Sequence, residues 1–178
     1  MMLSGFTIWA ILIGLVPLMT ERGAGASTAA WALGLCGLGQ ILGRTLYGPL
    51  ARRTGLTPRT AGLMLACGAV TAALGLVPGP VWLLVAIAVL AGLVRGNLTL
   101  LQATAVADRW GTADYGRLSA LMAAPVTVTN ALAPVATAAL AGLLGGHHHL
   151  FTGLALVSVL AAVLAIRSAA AGRPARLP

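Results

Sequence analysis

The chain has 178 residues, of which 59% are hydrophobic and only 8% are charged, against roughly 25% charged residues in ordinary soluble domains. Such a chain cannot cover itself with polar surface, so a soluble globular protein is excluded and a membrane protein is indicated. The net charge of +8 comes from arginines that lie mostly at the ends of apolar runs, not among stacking aromatic residues, which excludes a nucleic-acid-binding protein.

The hydropathy pattern predicts an all-α membrane protein with one bundle of six transmembrane helices, because a spanning helix needs about 20 mostly apolar residues. The first helix ends at the charged pair Glu21 and Arg22, and the second begins behind Ser27 and Thr28 as capping residues. The bundle is predicted over residues 1–167 and a cytoplasmic tail over residues 168–178. The predicted helices cover residues 2–19, 27–50, 60–77, 81–106, 117–144 and 150–166.

The distribution of arginine predicts the orientation of these helices. Arginine collects in cytoplasmic loops and is scarce on the opposite side of a membrane. Only Arg22 falls on one side of the predicted bundle. Eight arginines fall on the other side, namely Arg52, Arg53, Arg59, Arg109, Arg117, Arg167, Arg173 and Arg176. The asymmetry predicts a multi-pass protein of the cell (plasma) membrane with both termini in the cytoplasm.

Helix four carries a charged residue at mid-depth, where charge is costly unless it faces protein or water. Arg95, Thr99 and Gln102 follow one another at the spacing of one helical face. Such a stripe lines either a solute pathway or a contact between helices. The alternative left open is that Arg95 pairs with carbonyl groups of a neighbouring helix or extends its guanidinium to the membrane surface.

Two further helices carry polar stripes. Gln40, Arg44 and Tyr47 form one on helix two, where helix packing is the favoured interpretation because Arg44 can reach the membrane surface easily. Helix five carries Thr127, Asn130, Pro134 and Thr137, and Pro125 and Pro134 predict that it is broken or bent. Helices three and six lack charged, Asn or Gln residues in their interiors, so they are predicted to face lipid. This distribution of polar residues among the helices fits two repeats of three helices each, as found in transporters.

Gly39 and Gly43 form a GxxxG step that lets another helix approach helix two closely.

The sequence offers no chemistry typical of an enzyme or a metalloprotein. His147, His148 and His149 are predicted to lie in a polar loop, and no acidic residue is close to them in the sequence to complete a metal site. Hydrolase motifs and phosphate-cradling glycine loops are missing from the sequence. We therefore predict no enzymatic activity, no cofactor and no metal.

The junction of helices two and three, residues 39–55, resembles the loop motif of major facilitator superfamily transporters. That motif runs as a Gly, three residues, an acidic residue, a basic residue, one residue and a Gly. Gly48, Arg53 and Gly55 match it, whereas Arg52 stands in the acidic position. The segment from Asp108 to Arg117, with residues 130–134 in the helix that follows, is similar to the eleventh helix of the family and the loop before it. The resemblance covers essentially the whole chain and corresponds to the C-terminal six-helix half.

The resemblance implies roles for individual helices. Helices one and four would line the solute cavity, which makes Trp9, Arg95, Thr99 and Gln102 the predicted solute contacts. Helices two and five would face the other half of the transporter, and helices three and six would be peripheral. Residues at the half–half interface or gate would be Gln40, Arg44, Tyr47, Asn130 and Pro134.

The implied function is transport of a small organic solute across the lipid bilayer by alternating access, in which two six-helix halves move around a shared cavity. Because the sequence predicts one half, we expect a truncated reading frame, a fragment, or a half-size protein that pairs with itself or with a partner half. No spanning helix contains a carboxylate, so ion coupling would need residues from a second half. The alternative is a membrane remnant or interaction subunit that does not transport.

Overall fold

The computed structural model describes residues 2–111 and 114–171 of the protein. This part of the chain is all-helical and contains the six predicted helices without any strand. The helices are α1 (Met2–Glu21), α2 (Ala26–Arg53), α3 (Leu56–Leu76), α4 (Val81–Trp110), α5 (Tyr115–Leu144) and α6 (His147–Ala171). The predicted fold class, an all-α bundle of six helices, is therefore confirmed.

Within the described residues, four helices are long and apolar enough to cross a membrane. They are α2, α3, α5 and the segment Val81–Thr104 of α4, and Trp9–Glu21 forms a shorter apolar helix. These helices make the bundle a membrane domain.

Several helix ends differ from the predictions. His147–His149 form the first turn of α6 and are not a loop, because Gly145 ends α5 in the left-handed conformation (φ 79°) and the next helix follows at once. Asp108 lies in the last turn of α4, which continues to Trp110. Gly25 takes the N-cap position of α2, so Ser27 and Thr28 are inside its first turn and do not cap it.

The proline residues of α5 do not interrupt the helix. The helix continues through Pro125 and Pro134 to Leu144. Thr129 donates its hydroxyl to the Pro125 carbonyl at 2.7 Å, a local side-chain bond of the kind that accompanies helix bends. At the C-terminus, α6 extends to Ala171, so the first four residues of the predicted tail are helical, and residues 172–178 lie outside the described part.

The helices pack as three pairs. The most extensive contacts join α2 to α4, α3 to α6 and α1 to α5. If α1, α2 and α3 are taken to correspond to α4, α5 and α6, the α2–α4 pair corresponds to the α5–α1 pair. The α3–α6 pair then corresponds to itself. This pattern is that of two three-helix repeats related by a pseudo-two-fold axis.

The connections between helices gather at the two ends of the bundle. At one end, the Arg22 guanidinium donates to the Gly75 carbonyl at 2.5 Å and to the Val77 carbonyl, so the first connection touches the end of α3. At the same end, Glu21 accepts hydrogen bonds from the His147 backbone N–H at 3.1 Å and from its imidazole Nδ1 at 2.5 Å. The connections after α1, α3 and α5 thus lie at one end of the bundle, so successive helices run in alternating directions. Glu21, which lies 126 positions from His147 in the sequence, is thus its neighbour in the fold, a contact that the local sequence does not indicate.

Candidate functional site

The packing of α2 on α4 positions the polar residues of both helices. Gly39 and Gly43 of α2 face Gly92 and Gly96 of α4 so closely that a Cβ atom on any of them would lie under 3.0 Å from a carbonyl oxygen of the other helix. Backbone contact of this kind is what small residues provide in membranes. The close packing fixes the position of Arg95, which immediately precedes Gly96.

Arg95 and Trp9 lie together between α4 and α1. The Arg95 guanidinium carbon is 5.1 Å from the centroid of the Trp9 ring, a distance at which a cation is attracted to an aromatic face. Arg95 is half-buried, and its Nε atom is a buried donor without a hydrogen-bond partner in the described structure. The two residues predicted to be the best solute contacts thus meet, and one donor of Arg95 remains unused.

The space beside Arg95 is small. A cavity of about 10 Å³ borders Arg95 and is otherwise lined by apolar side chains and by the free thiols of Cys36 and Cys67. A volume of this size holds about one water molecule. The cavity is therefore too small for an organic solute within this bundle alone.

The rest of the predicted stripe on α4 has different neighbours. Thr99 donates its hydroxyl to the Gly96 carbonyl of its own helix at 2.8 Å. Gln102 borders a cleft of about 230 Å³ between α4 and α5, lined also by Tyr115, Ser119 and Met122. Its Nε2 atom is buried without a partner in the described residues. Arg95 and Gln102 share one face of α4, but Arg95 meets α1 whereas Gln102 meets α5.

A polar cluster lies at the other end of the bundle, where α2, α3 and α4 meet. Arg59 of α3 is buried and donates to the Asp108 carboxylate and to the Ala51 carbonyl, each at 3.2 Å. Its guanidinium carbon is 5.3 Å from the centroid of the Tyr47 ring. The Tyr47 hydroxyl is 2.9 Å from the Thr104 hydroxyl of α4. These contacts tie the three helices together.

The residues assigned to the loop motif surround this cluster. Arg52 and Arg53 are exposed in the last turn of α2, and Gly48 is partly buried five residues before its end. Gly55 is the N-cap of α3. Arg59, outside the matching positions, makes the ion pair that joins the helices. The sequence alone did not indicate the Arg59–Asp108 pair, because the two residues lie 49 positions apart.

The residues predicted for the interface with a second half are divided between surface and interior. Arg44 and Pro134 are exposed, and Gln40 and Asn130 are partly buried. Tyr47 lies inside the bundle, in the Arg59 cluster. The exposed sides of α2 and α5 carry large apolar side chains, including Trp31, Leu42, Leu46, Leu121, Leu132 and Val135.

Comparison with known proteins gives the family. A family model of the Major Facilitator Superfamily matches residues 1–177, nearly the entire chain. No curated protein and no solved structure matches the chain. The match agrees with the apolar spans, the paired three-helix repeats and the motif residues around Arg53. The chain therefore belongs to the major facilitator superfamily, a family of membrane transporters.

Proposed function

We propose that this bundle forms one half of a secondary transporter that moves a small organic solute by alternating access. The observation that carries the proposal is Arg95, a charged residue kept within an apolar helix, half-buried against Trp9 and with an unpaired Nε donor. A buried charge is expensive in a membrane and is retained where it has a function. A solute with an anionic or hydrogen-bond-accepting group would satisfy that donor.

The cavity volumes support a need for a second six-helix bundle. The cleft at Gln102 and the space beside Arg95 are separate within this bundle, and the latter holds about one water molecule. A second half in contact with α2 and α5 would enclose a larger volume in front of α1 and α4, over both residues. Either another copy of this chain or a different half would complete the cavity.

The orientation of the bundle in the membrane is part of the same proposal. The three connections near Arg22 would lie outside the cytoplasm, and the end carrying Arg52, Arg53 and Arg59 would lie in it, according to the distribution of arginine. The membrane would be the plasma membrane, with both termini inside.

Uptake by proteoliposomes tests the proposal. A panel of radiolabelled organic anions, each matched with a neutral analogue, is offered to vesicles containing the wild type, Arg95→Ala, Arg95→Lys or Arg117→Ala. Arg117 is exposed at the start of α5 and serves as the control. We expect saturable uptake that falls at least about ten-fold in Arg95→Ala, is partly kept in Arg95→Lys and is unchanged in Arg117→Ala, since a charged hydrogen bond is worth roughly 1.5–3 kcal/mol. Equal uptake by all four proteins would refute the role of Arg95.

A further inference from the structure

A groove separates α2 from α3 near the end of the bundle that carries the Arg59 cluster. Both helices pack on α4 but scarcely touch each other, so α4 forms the floor of the groove. The groove has a volume of about 550 Å³. Its walls are largely apolar and include Leu46, Leu50, Leu63, Ala66, Leu93 and Val94.

One end of the groove carries a positive charge. Arg53, in the last turn of α2, lines the groove, is exposed, and has neither an ion pair nor a hydrogen bond to its side chain in the described structure. Arg52 is exposed beside it. The nearby Arg59 differs, because Asp108 already neutralises its charge. The lining includes no acidic side chain among the described residues.

The polar residues of the lining do not change this character. Thr54 donates its hydroxyl to the Leu50 carbonyl at 2.6 Å, and the Asn97 amide donates to the Leu93 carbonyl at 3.1 Å. Both donors are thus bonded to carbonyls of their own helices, and the Asn97 Oδ1 atom, which is neutral, is a buried acceptor without a partner in the described structure. The free charge in the groove is the guanidinium of Arg53.

The position of the charge fits the geometry of a lipid molecule. Arg53 follows the apolar part of α2 and so lies at the depth of the lipid headgroups. From Arg53 to Leu46 the groove runs along seven residues of helix, about 10 Å at 1.5 Å per residue. Basic pockets between transmembrane helices bind anionic headgroups, while an apolar furrow receives an acyl chain.

We propose that this groove binds a phospholipid with a net negative headgroup, its phosphate on Arg53 and one acyl chain along the apolar walls between α2 and α3. The proposal does not depend on transport. It predicts that the protein distinguishes anionic from zwitterionic lipids that have the same acyl chains.

Lipid titration of the purified full chain in detergent tests the proposal. Dioleoylphosphatidylglycerol and dioleoylphosphatidylcholine are added separately, and bound lipid is counted by native mass spectrometry beside the thermal unfolding midpoint. We expect the wild type to bind the anionic lipid more tightly than the zwitterionic one. Arg53→Gln should weaken binding of the anionic lipid roughly five-fold, which is the effect of one arginine near a membrane surface. Arg117→Gln, which removes an exposed arginine outside the groove, should keep the preference.

A second pair of variants tests the apolar walls. Ala66→Phe places a ring in the groove and should reduce binding of both lipids, whereas Leu65→Phe on the exposed side of α3 should not. The proposal is overturned if Arg53→Gln and Arg117→Gln lose the preference equally, or if the wild type shows no preference. It is also overturned if inorganic phosphate at the same concentration stabilises the protein as much as the anionic lipid does.

Discussion

Asp108 and Arg59 join the end of α4 to the start of α3 through a hydrogen-bonded ion pair of 3.2 Å. We expect Asp108→Asn to lower the free energy of unfolding by about 1–2 kcal/mol, because it leaves the buried guanidinium of Arg59 without its counter-charge. The effect stays below that of a fully buried pair, since 36% of the Asp108 side chain is exposed. Thermal and denaturant unfolding in detergent would measure it.

Asp114 provides the matched control for this prediction. It is exposed before α5, and its side chain makes no capping hydrogen bond, so Asp114→Asn should change stability by less than about 0.5 kcal/mol. In a double-mutant cycle, Arg59→Met should cost less in the Asp108→Asn background than in the wild type. Additive effects of the two substitutions would show that the pair does not contribute to stability.

Glu21 predicts a response to acid at the opposite end of the bundle. It lies beyond the apolar run of α1, where partial burial raises its pKa, but the hydrogen bonds from His147 and the electrostatic effect of His147 and His148 outweigh this and lower the pKa below its ordinary value of 4.5. A lowered pKa in the folded state stabilises the protein above about pH 4.5, and this contribution is lost as the pH falls through the lower value.

Unfolding midpoints between about pH 3 and about pH 6 would test this response. We expect the wild type to lose part of its stability below about pH 4.5, and Glu21→Gln to have a lower midpoint at neutral pH and a flatter acid profile. Asp114→Asn controls for the loss of any carboxylate. An acid profile in Glu21→Gln as steep as that of the wild type would contradict the assignment.

The contacts of Glu21 and Asp108 show which side-chain interactions the sequence could not predict. Glu21 and Asp108 are two of the three acidic residues of the chain, and each binds a side chain on another helix. Their partners lie 126 and 49 positions away, and such separations become contacts only when the helix packing is known. Trp9 and Arg95 were predicted to share a site because the family resemblance supplied that packing.

At the scale of the helices, backbone contact between α2 and α4 predicts a strong sensitivity to added side-chain volume. A Cβ atom at Gly43 or Gly96 would collide with the backbone of the facing helix, which cannot move aside as a flexible side chain would. We expect Gly43→Ala and Gly96→Ala each to lower the free energy of unfolding by about 1–3 kcal/mol or more, the usual range for overpacking. Urea or SDS titration of the reconstituted protein would measure the loss.

Gly37 on α2 separates this steric effect from the change in helix propensity. A Cβ atom there meets nothing within 4 Å, so Gly37→Ala should be neutral or slightly stabilising, as alanine favours helix. A similar loss in Gly37→Ala and Gly43→Ala would rule out the steric explanation.

Helix positions follow from hydropathy, but helix partners do not. The GxxxG step at Gly39 and Gly43 predicted a close approach to α2, yet the spacing does not identify the approaching helix. Gly92 and Gly96 repeat the same spacing on α4, a signal that was present in the sequence and missed beside Arg95. Helix ends were least predictable where a glycine permits a sharp turn, as at Gly145.

At the scale of the whole molecule, the pseudo-two-fold packing gives α2 and α5 equivalent positions. Each is packed on one side, α2 against α4 and α5 against α1, and each leaves large apolar residues exposed on the other. In contrast, α3 and α6 pack against each other along one face, and α3 also contacts α4 while α6 also contacts α1. We therefore expect the exposed faces of α2 and α5 to contact a second bundle and those of α3 and α6 to contact lipid.

Cysteine crosslinking tests this distinction. In a variant without Cys36 and Cys67, single cysteines replace Leu42 on α2, Leu132 on α5 or Leu65 on α3, all of which are exposed. We expect a short bis-maleimide to join two copies of the chain through position 42 or 132 in native membranes, because an interface with a second bundle would bury these faces, and not through position 65. Co-expression of a candidate partner half should divert the crosslinks to that partner if it binds more tightly than a second copy. Equal crosslinking at all three positions would indicate random collision in the bilayer, and α2 and α5 would then be ordinary lipid-facing helices.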